Sequence, residues 1–569
     1  MKNQQLSEEI RQSELYSPDL APTPEKQRSW KTGDLAAIWV GMAVCIPTYL
    51  LASYMIKDGL NWLEALIIIA LGNIIVTIPM VLNGHAGVKY GVPFPVIGRA
   101  SFGIKGIHIA SVVRGIVACG WFGIQTWIGG LAIYSIGNVL LGNEGSLDLT
   151  LGKFIGFILF WLINVFFIWK GTESIRWLEK LAAPLLIGIG VLMIVWGAKE
   201  GGGFSKVLEQ SNELAKATAT FLGTDNNETV LLKLHPLKDL DGWTKADAYQ
   251  LSINNNKGAW QSLRSDSDNY SYPFPNATEK ITPKNMTIQF KKSINNSSTE
   301  ILSTAIPVKS NNQNTSGSKI WKYLLWLTAM VGFWGTMAIS IADITRYTRT
   351  QKEQILGQFI GLPGTMVLYS FVGVFVTCAA VLIFPDILIV ENAPWDPVSL
   401  LDKFKTPWIV ITAQLCMLIA TLSTNIAANV IAPANAFSNL APRKISFRMG
   451  GLITAMIGIV ICPWWLMDEI SSLLLFVSSF LGPVLGVLIC DYFSIRKKEL
   501  SLNDLFLVHG KYSYYHGFNI TALIALLAGV VTALVGLYIP ALSVLYTTSW
   551  FSGFIVSYLV YYFLSKKKS

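Results

Sequence analysis

Ala36-Ala37-Ile38-Trp39-Val40-Gly41-Met42-Ala43-Val44-Cys45-Ile46-Pro47-Thr48-Tyr49 is apolar enough to lie in a bilayer, yet it cannot run as one unbroken helix. Pro47 has no backbone N–H to give and its ring collides with the turn before it, while Gly41 weakens the segment further. A second stretch, Gly332-Phe333-Trp334-Gly335, interrupts another apolar segment at a comparable depth. Interrupted helices at corresponding positions of two halves point to a transporter built from inverted repeats. Five spans per half fit the spacing of these two breaks.

Composition agrees. The chain has 569 residues, of which 52% are hydrophobic and only 14% charged, and its mean hydropathy is +0.47. Soluble domains carry roughly 25% charged residues, so the chain reads as an all-α polytopic membrane protein. About twelve segments are long enough to cross a bilayer, a crossing taking roughly 20 residues. Their approximate limits are 34–56, 62–82, 108–137, 152–169, 177–197, 320–346, 357–384, 407–435, 448–465, 470–493, 518–539 and 543–564. We number them spans one to twelve. The expected plan is a tail over 1–33, a first inverted repeat over 34–197, a polar insert over 198–319, a second repeat over 320–493, and spans eleven and twelve with a basic tail over 494–569.

The net charge of +9 does not call for nucleic acid, because the bases gather in short connections between spans. Lys89, Arg99 and Lys105 follow span two; Arg346, Arg349 and Lys352 follow span six; Arg443, Lys444 and Arg448 follow span eight; Arg496, Lys497 and Lys498 follow span ten. Lys566, Lys567 and Lys568 end the chain. With an even span count these loops and both termini share one side, which the positive-inside rule makes the cytoplasm. Asp386, Glu391, Asp396, Asp468 and Glu469 fall in the alternate loops. The expected location is the cell membrane, multi-pass. The first 30 residues lack the apolar core of a cleavable signal, so the first span is expected to direct insertion. All six cysteines lie within spans and form no CxxC pair.

The insert is rich in Asn, Ser, Lys and Thr and lies outside by this topology. Its N-x-S/T triplets include Asn227, Asn269, Asn276, Asn285, Asn296 and Asn314. These are glycosylation candidates in a eukaryote, and an Asn-rich bacterial insert is the favoured reading. The alternation Met286-Thr287-Ile288-Gln289-Phe290 allows a small β-rich domain, with a disordered loop as the competing reading.

Two stretches carry recognition chemistry. In Gly120-Trp121-Phe122-Gly123-Ile124-Gln125-Thr126-Trp127, Trp121 and Gln125 lie one helical turn apart on one face. A flat aromatic surface beside an amide suits a planar heterocycle that stacks on its face and is read along its edge. Helix packing is the bland alternative. In Ala420-Thr421-Leu422-Ser423-Thr424-Asn425-Ile426-Ala427-Ala428-Asn429, two adjacent hydroxyls are hard oxygen ligands suited to an alkali cation. Their alternative is bonding back to carbonyls four residues earlier. Arg114 and Asp343 are charges inside spans and hence candidates by default. His85 and His108 sit apart at membrane borders and read as solvated or structural.

Trp121 with Gln125, Trp334, and Ser423-Thr424 with Asn429 together resemble the nucleobase:cation symporter-1 family. Leu82-Asn83-Gly84-His85-Ala86-Gly87, the run from Gly91 to Gly103, Leu481-Gly482-Pro483, Asp491-Tyr492-Phe493 and Tyr512-Ser513-Tyr514-Tyr515 extend the likeness over nearly all the chain except the insert. The resemblance implies a LeuT-type fold with two inverted five-helix repeats plus two extra helices, working by alternating access. It implies that Trp121 stacks on the substrate ring, Gln125 bonds its edge, Trp334 closes the opposite side and Asn429 supplies a second amide. It implies a co-transported sodium ion held by the carbonyls of Gly41, Val44 and Ala420 and the hydroxyls of Ser423 and Thr424.

Two departures stand out. Phe333 takes the place of a glycine, and Cys45 that of a glutamine, in the family's hydantoin-carrying member. Both favour a small ring, of allantoin, uracil or small-hydantoin type, over an aryl-hydantoin. The expected function is sodium-linked import of such a heterocycle, without a cofactor, nucleic-acid partner or obligate protein partner, in contact with lipid. A proton-coupled purine/pyrimidine permease and a transporter-like sensor using the insert are the rivals. No reactive cluster suggests an enzyme, and no GxxxxGK[ST] loop suggests an ATP-driven pump.

Overall fold

The computed structural model describes residues 8–57, 60–142, 149–209 apart from 171, eight stretches between 218 and 310, 319–383, 400–466 apart from 402, 403 and 405, and 470–566. Every expected span coincides with a helix or a broken helix. Seven described helices are long and apolar enough to cross a membrane alone, and nine spans result if each of two sharply bent pairs counts as one. Span one is such a pair: Thr32–Ala43 and Ile46–Lys57 meet at 60°. The helix stops at Val44, whose ψ of 79° is non-helical, and resumes with Pro47 in the first turn, where its missing N–H costs nothing. Span six breaks at Trp334, between Lys319–Phe333 and Gly335–Ser340, and continues as Ala342–Thr345.

Spans two, three, four and five are Trp62–Tyr90, Ile107–Leu141, Leu151–Lys170 and Thr172–Glu200. Gln351–Ile383 is span seven, Pro407–Asn429 with Ile431–Leu440 span eight, and Phe447–Val460 span nine. Span ten, Ile470–Ile489, ends in a π-helical turn over Cys490–Ile495. Ile520–Tyr538 is span eleven, and Ser549–Lys566 carries most of span twelve. Spans three and eight pack along their length with four and nine beside them, and span seven lies against spans one and two. Glycines set these distances: a Cβ on Gly123 of span three would stand 2.5 Å from the Gly458 carbonyl of span nine, and one on Gly130 would stand 2.5 Å from Phe157 Cα of span four. Gly482 and Pro483 of span ten pack on Trp550 and Gly553 of span twelve. Span four turns Leu159, Leu162, Phe166 and Trp169 outward at 46–58% exposure. In water that face would be an aggregation surface; in a bilayer it meets acyl chains.

Two regions differ from their reading as bare polar connections. Arg99, counted among loop charges, is fully buried in a helix, Phe94–Phe102, between spans two and three. Its guanidinium donates to Asn439 Oδ1 at 2.6 Å, Leu505 O at 2.8 Å and Leu15 O at 3.1 Å. The N-terminal tail is docked on the same face: Ile10 and Leu20 are buried, Arg346 donates to Thr23 Oγ1 at 2.9 Å and to Asp19 O at 3.2 Å, and Ser13 Oγ donates to the Phe506 carbonyl. Asp19 Oδ2 accepts from Phe447 N at 3.1 Å, capping span nine.

Within the insert the described residues form a nine-stranded sheet. Met286–Ile294 runs antiparallel to Ala248–Ile253, and Thr218–Asp225 pairs antiparallel with Thr229–His235 and parallel with Ile306–Ser310. Met286, Ile288 and Phe290 point inward and Thr287 and Gln289 do not, the alternation their sequence predicts. Of the Asn-x-Ser/Thr sites only Asn269 is described, in the strand Asn269–Pro273; the others lie outside the described residues, as do Asp386, Glu391, Asp396, Asp468, Glu469, Lys567 and Lys568. The sheet's apolar cluster consists of its own residues, among them Leu232, Leu251, Tyr272 and Ile288. The short helix Phe204–Glu209 belongs instead with the spans, since Val207 joins their core and the Phe204 ring stacks on Phe375 at 4.8 Å. Excising 212–316 behind a flexible linker should therefore leave substrate uptake within about twofold of the intact protein, because independent domains are tolerated and removed at such points. Loss of uptake by a variant that still reaches the membrane would make the sheet a working part.

Candidate functional site

The two helix breaks and spans three and eight converge on one cavity. Trp121 and Gln125 face it from span three, Phe333 and Trp334 from span six, Thr424 and Asn429 from span eight, and Met42 and Cys45 from span one. All four residues expected to bind substrate are thus brought together, at exposures of 4–8%. The rings lock edge to face: Trp121 and Phe333 centroids are 5.2 Å apart at 90°, Phe333 and Trp334 5.0 Å at 75°, and Trp39 backs Trp334 at 5.2 Å and 89°. The cavity measures about 20 Å³, room for a single water. A planar heterocycle needs several times that, so Phe333, wedged between the two tryptophans, must swing away for a ring to stack on Trp121.

Two polar atoms on this cavity are buried without a partner: Gln125 Oε1, an acceptor, and Trp334 Nε1, a donor. Leaving them so is unfavourable by about 1–3 kcal/mol each. They fit a ligand that presents both an N–H and a C=O. Asn429 is held from behind by a network that sequence reading did not assign. Its Nδ2 donates to Asn425 Oδ1 at 3.1 Å, and Asn425 Nδ2 donates to Thr126 Oγ1 and Asn164 Oδ1, both at 3.1 Å. Asn425 lies one turn before Asn429, so the i, i+4 spacing of two amides was the available signal.

The expected cation ligands fall at the seam of spans one and eight. In an unbroken helix Gly41 O would accept from Cys45 N; here Cys45 N turns to Ala43 O at 3.0 Å. The freed Gly41 carbonyl accepts from Thr424 Oγ1 at 3.1 Å. Ser423 Oγ is buried with no partner, so neither hydroxyl bonds back to its own helix. Val44 and Ala420 pack in one cluster with Tyr49 and Tyr369. The seam thus gathers hydroxyl and carbonyl oxygens, the donor set of a hard monovalent cation. Thr424 belongs to the seam and also lines the cavity. His85 Nδ1 is 2.9 Å from Tyr492 OH and His108 Nδ1 is 3.4 Å from Asn439 Nδ2, both away from the cavity lining.

This geometry can be set beside known proteins. The sequence profile of permeases for cytosine/purines, uracil, thiamine and allantoin matches residues 22–225 and 304–561, leaving out most of the β insert. The chain belongs to this family, the nucleobase:cation symporter-1 permeases. As a member it is a membrane transporter and not an enzyme. The permease is 31% identical over 576 residues to an allantoin permease of Bacillus subtilis, covering 99% of this chain and 95% of that one. It is likewise 31% identical to a purine-uracil permease of Arabidopsis thaliana, covering 97% and 78% respectively. Its fold matches that of Mhp1, a nucleobase-cation-symport-1 family transporter solved closed with bromovinylhydantoin bound, at a TM-score of 0.67 and 22% identity, covering 97% of this chain and 96% of that one. That match bears out the LeuT-type architecture expected of this permease.

Proposed function

We propose that this permease imports a small planar heterocycle with a cyclic amide, imide or ureide edge, of the allantoin, hydantoin or uracil class, together with sodium. The observation that carries this reading is the pairing of Gln125 Oε1 and Trp334 Nε1 as unpartnered acceptor and donor on one aromatic-walled cavity. Such a ring lays its face on Trp121, gives an N–H to Gln125, accepts from Trp334, and meets the Asn429 amide that Asn425 orients. The relatives that carry allantoin and purine-uracil in their names support this class.

Sodium enters at Gly41, Val44, Ala420, Ser423 and Thr424, replacing the Thr424–Gly41 hydrogen bond with shared coordination and tying span one to span eight. The outward-facing arrangement is then favoured. Because Thr424 also lines the substrate cavity, each ligand steadies the residue the other needs, and by linkage the two affinities rise by the same factor. Rocking of one helical bundle against the other delivers both ligands inward, to the side of the basic loops, the amino terminus and the carboxyl terminus.

Labelled allantoin, uracil and hydantoin offered to proteoliposomes, each with and without a sodium gradient, test this. Saturable, sodium-dependent accumulation of one of them is the expected result. Accumulation driven only by a proton gradient would retain the pocket and remove the sodium assignment. A second measurement probes the ring wedge. Phe333→Gly should improve the affinity for a 5-benzyl-hydantoin by about tenfold or more relative to allantoin, since relief of a steric clash is worth roughly 1–3 kcal/mol. An unchanged ratio would place the size filter elsewhere.

A further inference from the structure

Toward the Ile107 end of span three, beyond the cavity, three more buried polar atoms lack a partner: Ser111 Oγ, Arg114 Nη1 and Asp343 Oδ2. Their residues are 0–3% exposed. Ser111 and Arg114 are three apart on span three and so share a face; Asp343 comes from the Ala342–Thr345 turn of span six. Each charged side chain is anchored at one end. Arg114 Nε donates to Ser340 Oγ at 3.1 Å and to Thr336 O at 3.4 Å. Asp343 Oδ1 accepts from Phe94 N at 3.0 Å, with the Asn435 amide beside the same carboxyl group. The two charges act on one another, yet no ion pair joins them among the described residues.

A donor and an acceptor that each keep an unpaired atom in a low-dielectric interior are matched by a group that offers a carbonyl to Arg114 and an N–H to Asp343. That is the edge which Gln125 and Trp334 present themselves to read. Position links the two places. Arg114 precedes Trp121 by seven residues, two turns or about 10 Å along the helix, on the same face. What separates them is Met337, which lines the cavity and whose Sδ lies 3.7 Å from Arg114 Nη2. Thr336 lines the cavity too, and its carbonyl is the one Arg114 holds. Methionine is unbranched and re-packs readily, which suits a residue that must move aside.

We propose that Ser111, Arg114 and Asp343 form a second substrate station, between the cavity and the face of the basic loops, which takes the amide edge of the heterocycle after Met337 swings away. Arg114 bonds its carbonyl, Asp343 its N–H, and Ser111 either. The station rests on the substrate class proposed above.

The test is equilibrium binding of radiolabelled allantoin, uracil and hydantoin to the purified full-length permease in lipid nanodiscs. Two saturable sites are expected for whichever heterocycle binds, the weaker surviving in Trp121→Ala or Gln125→Ala. On that background Arg114→Lys, which keeps the charge but loses the planar fork, and Asp343→Asn should each weaken the remaining site at least tenfold. Ser111→Ala, the mildest change and a check should the charged variants fail to fold, should weaken it about fivefold. A stoichiometry of one, with no residual site in the pocket variants, would overturn the station and leave the pocket standing. A residual site indifferent to all three substitutions would also overturn it. Absence of binding by any of the three heterocycles to the unaltered protein would instead overturn the substrate class itself.

Discussion

Trp121→Ala is expected to lower the affinity for the transported heterocycle by about a hundredfold or more in a binding assay, while the protein still inserts and stays folded. An indole buries 150–250 Å². Roughly half of that against a ligand, at about 25 cal/mol per Å², contributes 2–3 kcal/mol, and ring stacking adds about 1 kcal/mol. A total near 3 kcal/mol corresponds to about two orders of magnitude in Kd. Gln125→Ala acts differently. It removes less surface than the indole's loss, and its larger effect is to leave a substrate N–H unpaired in a dry site, worth about 1–3 kcal/mol. It should therefore discriminate: a ligand methylated at that nitrogen gains nothing from Gln125 and should bind the variant as well as it binds the parent. Unaltered binding by Trp121→Ala would show that the ring stacks elsewhere. Trp121 also packs edge-on against Phe333, so the variant's folding is checked independently, by its insertion and its thermal stability.

The second large effect concerns the cation. Ser423→Ala combined with Thr424→Ala should abolish the stimulation of substrate binding by sodium, leaving a single affinity at all sodium concentrations. A sodium ion in a low-dielectric seam is stable only with its shell of oxygens, and the double variant removes both side-chain oxygens of the proposed five ligands. Thr424→Ser keeps the hydroxyl and should restore most of the response. That rescue separates coordination from packing, since serine lacks the threonine methyl. Reciprocity provides a further check: whatever factor sodium loses over substrate, substrate must lose over sodium. A sodium response unchanged in the double variant would remove both residues from the cation site.

Much of this was legible from the chain. The breaks in spans one and six, the Trp121–Gln125 face and the Ser423–Thr424 pair are local features, set by backbone chemistry and helical periodicity, and residues beside both breaks meet Trp121, Gln125 and Thr424 at one cavity. What stayed hidden depends on partners far away in sequence. That Asn425 fixes Asn429 through Thr126 and Asn164 requires knowing that spans three, four and eight meet. That Phe333 closes the cavity to the size of one water requires its ring orientation. Arg99 looked like a loop charge because positive-inside counting ignores burial, whereas its guanidinium is a buried cross-link among Leu15, Asn439 and Leu505. The insert was ambiguous because alternation over five residues marks a strand but not the sheet that pairs with it.

The docked amino-terminal tail has a consequence for biosynthesis. Ser13 bonds Phe506, Asp19 bonds Phe447 and Thr23 bonds Arg346, partners that lie 493, 428 and 323 residues further along. A ribosome making the chain exposes the tail first and its anchors last. The Ser13 end of the tail must therefore wait for its anchor while ten spans are threaded into the bilayer, although Thr23 meets the Gly91 carbonyl after only two. The seating of that end is among the final events of assembly, since contacts of such sequence separation cannot form until both ends exist. Protection of the residues around Ser13 from an added protease thus marks chains made past Phe506, and any chain stalled before it leaves that stretch open to cleavage.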